Sequence, residues 1–450
     1  MGTPISNDSA AVASVADRKR DLTDKLLSGF ATIRHGEGIG ALLLAAHVFL
    51  LLSAYYILKT VREGLILSEG GAEIKTYSSA AQAALLLLII PAYGWLASKM
   101  KRDRLLILVT LFFASHLGVF VALAKAGFHI GVAFFLWVGI FNLFVISQFW
   151  ALANDLYDEE QGRRLLPVVG VGSSLGAWIG AVYAGRVFST FGSSGLMLIA
   201  GGLLLGCVAI HQALNRFPQS FRKDGQTIAQ KPLNKDGAFR LILNSRYLFW
   251  IAILVLVLNV VNTTGEFLLS KLVVNEADRM AATGTISAEQ KAAFIGEFYG
   301  SFFSWVNLAG MLFQLFLVSR LFKSIGVRGA LFVLPSIALV AYGLVAVAPL
   351  LALVRIAKIF ENGTDYSIQN TARQALFLVT SREAKYKAKA AIDSFFWRIG
   401  DVLAAVLVFV GTRLQFGITT YATFNIALAV VWISIVFIIG HEHKNLSAAA

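Results

Sequence analysis

The stretch R-I-A-K-I-F-E-N-G-T-D-Y-S-I-Q-N-T-A-R-Q-A-L-F-L-V-T, Arg355 to Thr380, has the length of a bilayer-crossing helix, which needs about 20 mostly apolar residues. Arg355, Lys358, Glu361, Asp365 and Arg373 nevertheless lie inside it. Each such charge costs roughly 2.5–3.5 kcal/mol at the bilayer centre, so several together persist only where they face a polar cavity or one another. Arg355, Lys358, Asn362 and Asp365 recur at i, i+3, i+7 and i+10, which places them on one helical face. That face is expected to line a wet interior. The alternative reading of the same pattern is a packed bundle in which these charges neutralise each other without a ligand.

The rest of the chain agrees with a membrane setting. Of its 450 residues, 57% are hydrophobic and 14% charged, which is far too apolar for a soluble domain. Twelve apolar runs are long enough to span, centred near residues 50, 88, 114, 141, 178, 202, 258, 305, 338, 362, 400 and 428. The expected fold is therefore an all-α membrane protein of twelve transmembrane helices in two six-helix halves. The boundaries read as an N-terminal segment (1–37), a first bundle (38–214), a linker (215–246), a second bundle (247–440) and a tail (441–450).

A net charge of +13 suggests nucleic acid only until the basic residues are sorted by loop. Lys99 to Arg104, Arg216 to Arg246, Arg320 to Arg328 and Arg382 to Lys389 all fall on one side of the twelve spans. The positive-inside rule makes that side cytoplasmic and puts both termini there. Residues 1–37 do not read as a cleavable signal peptide, and 18–35 read as a short amphipathic helix. Cys207, the single cysteine, is expected to be an inert buried thiol.

Several local patterns separate packing from chemistry. Gly172, Gly176, Gly180 and Ala184 repeat every four residues, the small-residue stripe that lets membrane helices approach closely. The glycine run around them lacks a preceding strand and a following Gly-Lys-Ser/Thr, so it is not a phosphate loop. The first span ends with Lys59, Arg62 and Glu63 still in the hydrophobic register; snorkelling to the interface is the bland reading of Arg62 and Glu63. On the seventh span, Asn259, Asn262 and Glu266 share a face; Gly265 is a candidate irregularity, and an ion pair with Lys271 is the bland reading of Glu266. The segment from Asn275 to Lys291 reads as a polar loop, and H-E-H-K near the C-terminus as a solvated tail too poor in ligands for a metal site.

The stretch G-W-L-A-S-K-M-K-R-D-R, residues 94–104, resembles a degenerate copy of the signature between the second and third helices of the major facilitator superfamily, with Ser98 where an aspartate is usual. Further stretches resemble the ATP/ADP translocase family and its broader bacterial relatives. K-Y-K-A-K-A-A-I-D at 385–393 is similar to that family's K-x-K-G-K-A-A-I-D, and A-K-I-F at 357–360 stands where it has A-K-Y-S. N-T-T-G-E-F-L-L-S-K at 262–271, F-I-G-E-F at 294–298, F-W-A-L-A-N at 149–154, R-R-L-L-P-V-V-G-V-G at 163–172 and G-A-E-I at 71–74 extend the likeness over both halves.

The resemblance implies exchange of nucleotides across a membrane, with basic residues binding phosphates and acids setting coupling or gating. It puts Lys59, Arg62 and Glu63 where the family has an arginine, a lysine and an aspartate. Glu266 takes its acidic seventh-helix position, and Lys358, Lys387, Lys389 and Asp393 its charged positions near helices ten and eleven. Two departures leave room for another anion: the first-helix cations are exchanged in order, and residues 361–377 replace the translocases' shorter F-D-P-T-K-E-M-A-Y.

The expected function is thus secondary transport of an anionic, phosphorylated solute across a bacterial inner membrane by alternating access, with ATP/ADP exchange as first candidate. Expected substrate-binding residues are Lys59, Arg62, Asn262, Arg355, Lys358, Lys387 and Lys389; expected coupling or gating residues are Glu63, Glu266, Glu361, Asp365 and Asp393. The alternatives are a proton-coupled transporter of another organic anion and a non-transporting receptor or scaffold. No enzymatic activity, cofactor, metal or nucleic-acid partner is expected, and the chain is read as a monomer in the bilayer.

Overall fold

The computed structural model describes residues 37–157, 159–216 and 237–449, so the amphipathic helix expected at 18–35 and most of the linker lie outside the described residues. Every regular element within them is helical. The first half opens with α1 (Glu37–Glu69), α2 (Gly71–Lys99), α3 (Arg102–Lys125) and α4 (Gly131–Leu156). The next helical stretch, Glu159–Arg216, would be about 87 Å long if straight. It turns back at Gly192, whose φ of 63° is in the left-handed region that glycine tolerates. Gly176 and Gly206 consequently meet neighbouring residues of α1, Phe49 and Leu50. We label the two limbs α5 (159–191) and α6 (193–216).

After a short helix, Ala238–Asn244, the second half contains α7 (Arg246–Ala282), α8 (291–325), α9 (Val333–Val347), α10 (351–376), α11 (Ala384–Arg413) and α12 (Ile418–Ala449). Gly326, with φ 68°, breaks the chain after α8. Nine helices among the described residues are long and apolar enough to cross a membrane. Twelve crossings require dividing 159–216 at Gly192 and admitting the short α9 and the charge-bearing α10.

Three sequence readings change here. Asn275 to Ala282 continues α7, because the helix runs on past the hydrophobic register and is stopped only at Thr283–Gly284. The H-E-H-K segment belongs to α12: Glu442 pairs with Arg246 at 3.2 Å, and the His443 and Tyr247 rings lie 6.2 Å apart. Gly265 stays helical, and its missing Cβ makes room for the Tyr342 hydroxyl.

The glycine stripe acts as packing. A Cβ on Gly172, Gly176 or Gly180 would overlap the backbone of Ala45, Phe49 or Ser53, and the Ser53 hydroxyl donates to the Gly176 carbonyl at 3.1 Å. Cys207 is buried, with its thiol on the His47 carbonyl.

The ends of the helices define two faces. Glu37–Arg164, Asp103–His211 and Arg246–Glu442 mark the face where α1 begins, and each of these pairs joins helices of one half. We call it the N-face. At the opposite face the contacts cross between halves. Gly185 of α5 abuts Gly300 of α8, Phe188 fills the space beside Gly64 and Gly296, and Lys271 of α7 pairs with Glu73 of α2. The buried apolar residues repeat this arrangement: Tyr299, Phe302 and Phe303 of α8 belong to the cluster built on α1, α4, α5 and α6, while α7, α9, α11 and α12 supply most of a second cluster.

Candidate functional site

A chain of buried charges runs across the junction of the two halves. On α1, Glu63 is 1% exposed and accepts from Arg62. Its second oxygen lies 2.7 Å from the ammonium of Lys75, on α2. Lys75 then crosses to α7, donating to the Ser270 hydroxyl at 2.9 Å and lying 4.0 Å from Glu266. Glu266 accepts from Asn362 at 2.9 Å and lies 3.8 Å from Lys358. Lys358, 1% exposed, donates to Glu361 at 3.0 Å and to the Asn262 side chain at 2.9 Å. The Tyr342 hydroxyl of α9 donates to the other oxygen of Glu361, also at 2.9 Å. Buried charges survive only when paired and hydrogen-bonded, and here each ammonium sits between carboxylates while each carboxylate has a second donor.

Snorkelling is therefore not what Glu63 and Arg62 do: the carboxylate is sealed, and the guanidinium lies over the Phe135 ring at 4.5 Å. Nor does Glu266 pair with Lys271, which turns to Glu73. Lys59, one turn nearer the N-face, sits over the Tyr56 and Phe303 rings at 5.3 and 4.1 Å. Among the described residues it has no carboxylate within ion-pair distance.

The remaining expected residues lie elsewhere. Arg355 is on the helical face predicted for it, but that face meets α8: its guanidinium donates to Ser301 at 2.8 Å and lines an apolar groove with Trp305 and Phe360. Ile356 and Phe360 beside it are half exposed, as lipid-facing residues are. Asp365 occupies a π-helical turn, Asp365–Gln369, one turn past the charge chain; such turns often mark functional positions. Lys387 and Lys389 stand near the N-face start of α11, with Lys389 5.9 Å from the Phe377 ring. Asp401 of the same helix binds Asn259 at 2.9 Å, and Lys389 is about 18 Å along the helix from it. Neither lysine joins the central chain. Asp393 lies between, in a second π-helical turn of α11.

Sequence reasoning did not single out Lys75, Ser270 or Tyr342. Lys75 stands two residues after Glu73 and shortly after a glycine pair, where a cation reads as an interfacial residue, and its α7 partner is 195 positions away. A usable signal was that a lone lysine four residues into a span-length helix needs a counter-charge.

A model of the TLC ATP/ADP transporter family matches residues 18–125. The chain is 23% identical over 321 residues to ADP,ATP carrier protein 1 of Chlamydia pneumoniae, an alignment covering 61% of this chain and 59% of that carrier. It is 22% identical over 489 residues to ADP,ATP carrier protein 2 of Chlamydia trachomatis serovar D, covering 88% and 86%. Among solved structures, the nucleoside transporter NupG aligns with a TM-score of 0.58 at 15% identity, over 89% of this chain and 98% of that one. The POT family transporter PepTSo gives 0.57 at 10%, over 92% and 99%. A bacterial homologue of the iron transporter ferroportin, in its inward-facing state, gives 0.58 at 12%, over 89% and 98%. A nucleoside transporter and a homologue of an iron transporter share this architecture, so it identifies a fold and leaves the cargo open. The chain has the major facilitator fold, and its sequence is similar, at 22–23% identity, to ADP,ATP carrier proteins.

Proposed function

We propose that this chain is a secondary transporter of an anionic, phosphorylated solute in a bacterial inner membrane, with ATP/ADP exchange as the first substrate assignment. The observation that carries the reading is the charge chain from Glu63 through Lys75, Glu266 and Lys358 to Glu361, because it joins the two halves at one face through contacts that an anion can compete for. A phosphate arriving beside Lys59 or Lys358 offers these ammonium groups a stronger acceptor than a carboxylate already shared between donors. Exchange of partners then loosens the pinned face, and the halves rock to expose the site on the other side. The basic residues at the N-face, including Lys99, Lys101, Arg104 and Arg382, support a cytoplasmic N-face, with both termini on that side and the pinned face outward. Glu266 between Lys75 and Lys358 is the group best placed to exchange its partners during the cycle.

The test is uptake of radiolabelled ATP and ADP into proteoliposomes, with and without internal nucleotide, for the wild type and Lys358→Gln. Uptake stimulated by internal nucleotide and lost in the variant is the expected result. A folded wild type that moves neither nucleotide overturns the substrate assignment, and proton-driven uptake of other phosphorylated or carboxylated solutes is then the next assay.

A further inference from the structure

Between the halves, on the N-face side of the charge chain, lies a cavity of about 360 Å³, walled by α2 and α4 of the first half and by α10 and α11 of the second. Leu86 and Leu143 form the apolar side; Arg373, Asp393, Trp397 and Arg398 face them. Its polar groups differ from those of the chain above. The Arg373 guanidinium lies 5.2 Å over the Trp397 ring, while its Nε and Nη1 are buried without a hydrogen-bond partner. Oδ1 of Asp393, which lines the same cavity, is likewise buried without a partner. Arg398 is held by Asp401 at 3.3 Å, and Asp401 in turn by Asn259 and Thr263.

A guanidinium and a carboxylate that face one cavity without meeting each other are two unmet demands of opposite kind. Buried polar groups in native structures are otherwise satisfied by protein, water or ligand. A ligand that meets both must bring acceptor oxygens for Arg373 and an N–H donor for Asp393, and a planar ring would lie against Trp397 beside the cation. The cavity, at about 360 Å³, is at the small end for ligand sites, so it fits part of a larger solute, a ring with one adjoining anionic group.

We propose that this cavity is a binding subsite for a solute carrying both an anionic group and an N–H-bearing planar ring, with Arg373 as anion ligand, Asp393 as hydrogen-bond acceptor and Trp397 as ring platform. The proposal rests on the transport reading and adds a station about 22 Å along α10 from Lys358 that the solute occupies before its phosphate reaches the charge chain. It narrows the substrate class: an inorganic or purely carboxylic anion leaves Asp393 unmet, whereas an aminopurine or aminopyrimidine nucleotide meets both groups. It also gives the K-A-A-I-D stretch of α11 a role in recognition, through Asp393.

The test is binding by titration calorimetry to full-length protein in nanodiscs, with ADP and inorganic pyrophosphate as probes, for wild type, Arg373→Gln and Asp393→Asn. Alongside it, ADP flux is measured in proteoliposomes. Arg373→Gln is expected to weaken both probes by at least about tenfold. Asp393→Asn is expected to weaken ADP by a similar factor while leaving pyrophosphate unchanged or tighter. The isosteric Asp393→Asn keeps the test valid if Arg373→Gln does not fold. Wild-type ADP flux with unchanged ADP affinity in the variants overturns the subsite and leaves transport standing. Equal loss of both probes in Asp393→Asn overturns the assignment of that residue to an N–H donor. No binding or flux of ADP in the wild type overturns the nucleotide reading itself.

Discussion

The charge chain at the junction of the halves and the cavity on its N-face side use the same residue types to opposite ends. In the chain, Lys75 is shared between Glu63 and Glu266, and Lys358 between Glu361, Glu266 and Asn262. In the cavity, Arg373 and Asp393 keep buried polar atoms free. Saturated charges hold surfaces together, because each partner removed leaves an uncompensated ion. Unsaturated ones invite a ligand. The contrast also assigns direction: the same halves are pinned at one face by Lys75–Ser270 and Lys271–Glu73 and enclose an open cavity toward the other.

The largest effect that can break this contrast is at Lys358. Lys358→Met strands Glu361 and Glu266 in a buried site, and loss of one partner from such a set is worth about 3–5 kcal/mol. A marked fall in the thermal midpoint, read by intrinsic fluorescence in detergent, is the expected outcome; an unchanged midpoint means the charges around Lys358 are not the saturated set that the contrast requires. Next comes Gly176→Val. Its side chain runs into the backbone of Phe49, and overpacking of this kind costs about 1–3 kcal/mol. Gel filtration should show loss of monodisperse protein, whereas the same change at exposed Gly94, which has open space, should be silent.

A smaller effect is expected at Lys75. Lys75→Gln keeps a donor for Glu63 or Ser270 but removes the charge between the acids, so the pinned face should open more often with modest loss of stability. Hydrogen exchange across 263–275 checks it: protection should fall there and hold in α12. The smallest effect is at Arg355, whose contacts are the Ser301 hydroxyl and the Phe298 ring. Arg355→Gln should change stability by about 0–1 kcal/mol and keep flux; loss comparable to that of Lys358→Gln would return Arg355 to the substrate path.

How much of this was legible in the sequence follows from what periodicity encodes. The expense of five charges in one span identified α10 as the organising helix, and the spacing of Asn262 and Glu266 matched the face that meets it. Periodicity says which residues share a face and nothing of what that face meets. Arg355 shares the face of Lys358 yet turns to α8. Lys387 and Lys389 were singled out by a family-like stretch, and helix geometry keeps them about three to four turns from Asp401. Lys75 was missed because its partners come from α1 and α7, a long-range pairing that no local window contains. Arg373 was noted as a costly charge without a role, since its isolation becomes visible only when α11 is seen to bring Asp393 and Trp397 to the same cavity. The glycine stripe, by contrast, was readable directly, because close approach of two backbones needs a local sequence feature on one of them.

The most direct measurement of alternating closure at the pinned face is the distance across that face. Spin labels at Lys125→Cys and Thr285→Cys, exposed positions of the first and second halves, can be introduced beside the buried Cys207 and read by pulsed electron–electron double resonance in nanodiscs. The account predicts one short-distance population without nucleotide, and a second, longer population on adding ADP or in the Lys75→Gln background. A distribution that stays the same in all three conditions would contradict the claim that the Glu63–Lys75–Glu266 chain closes this face and opens during transport.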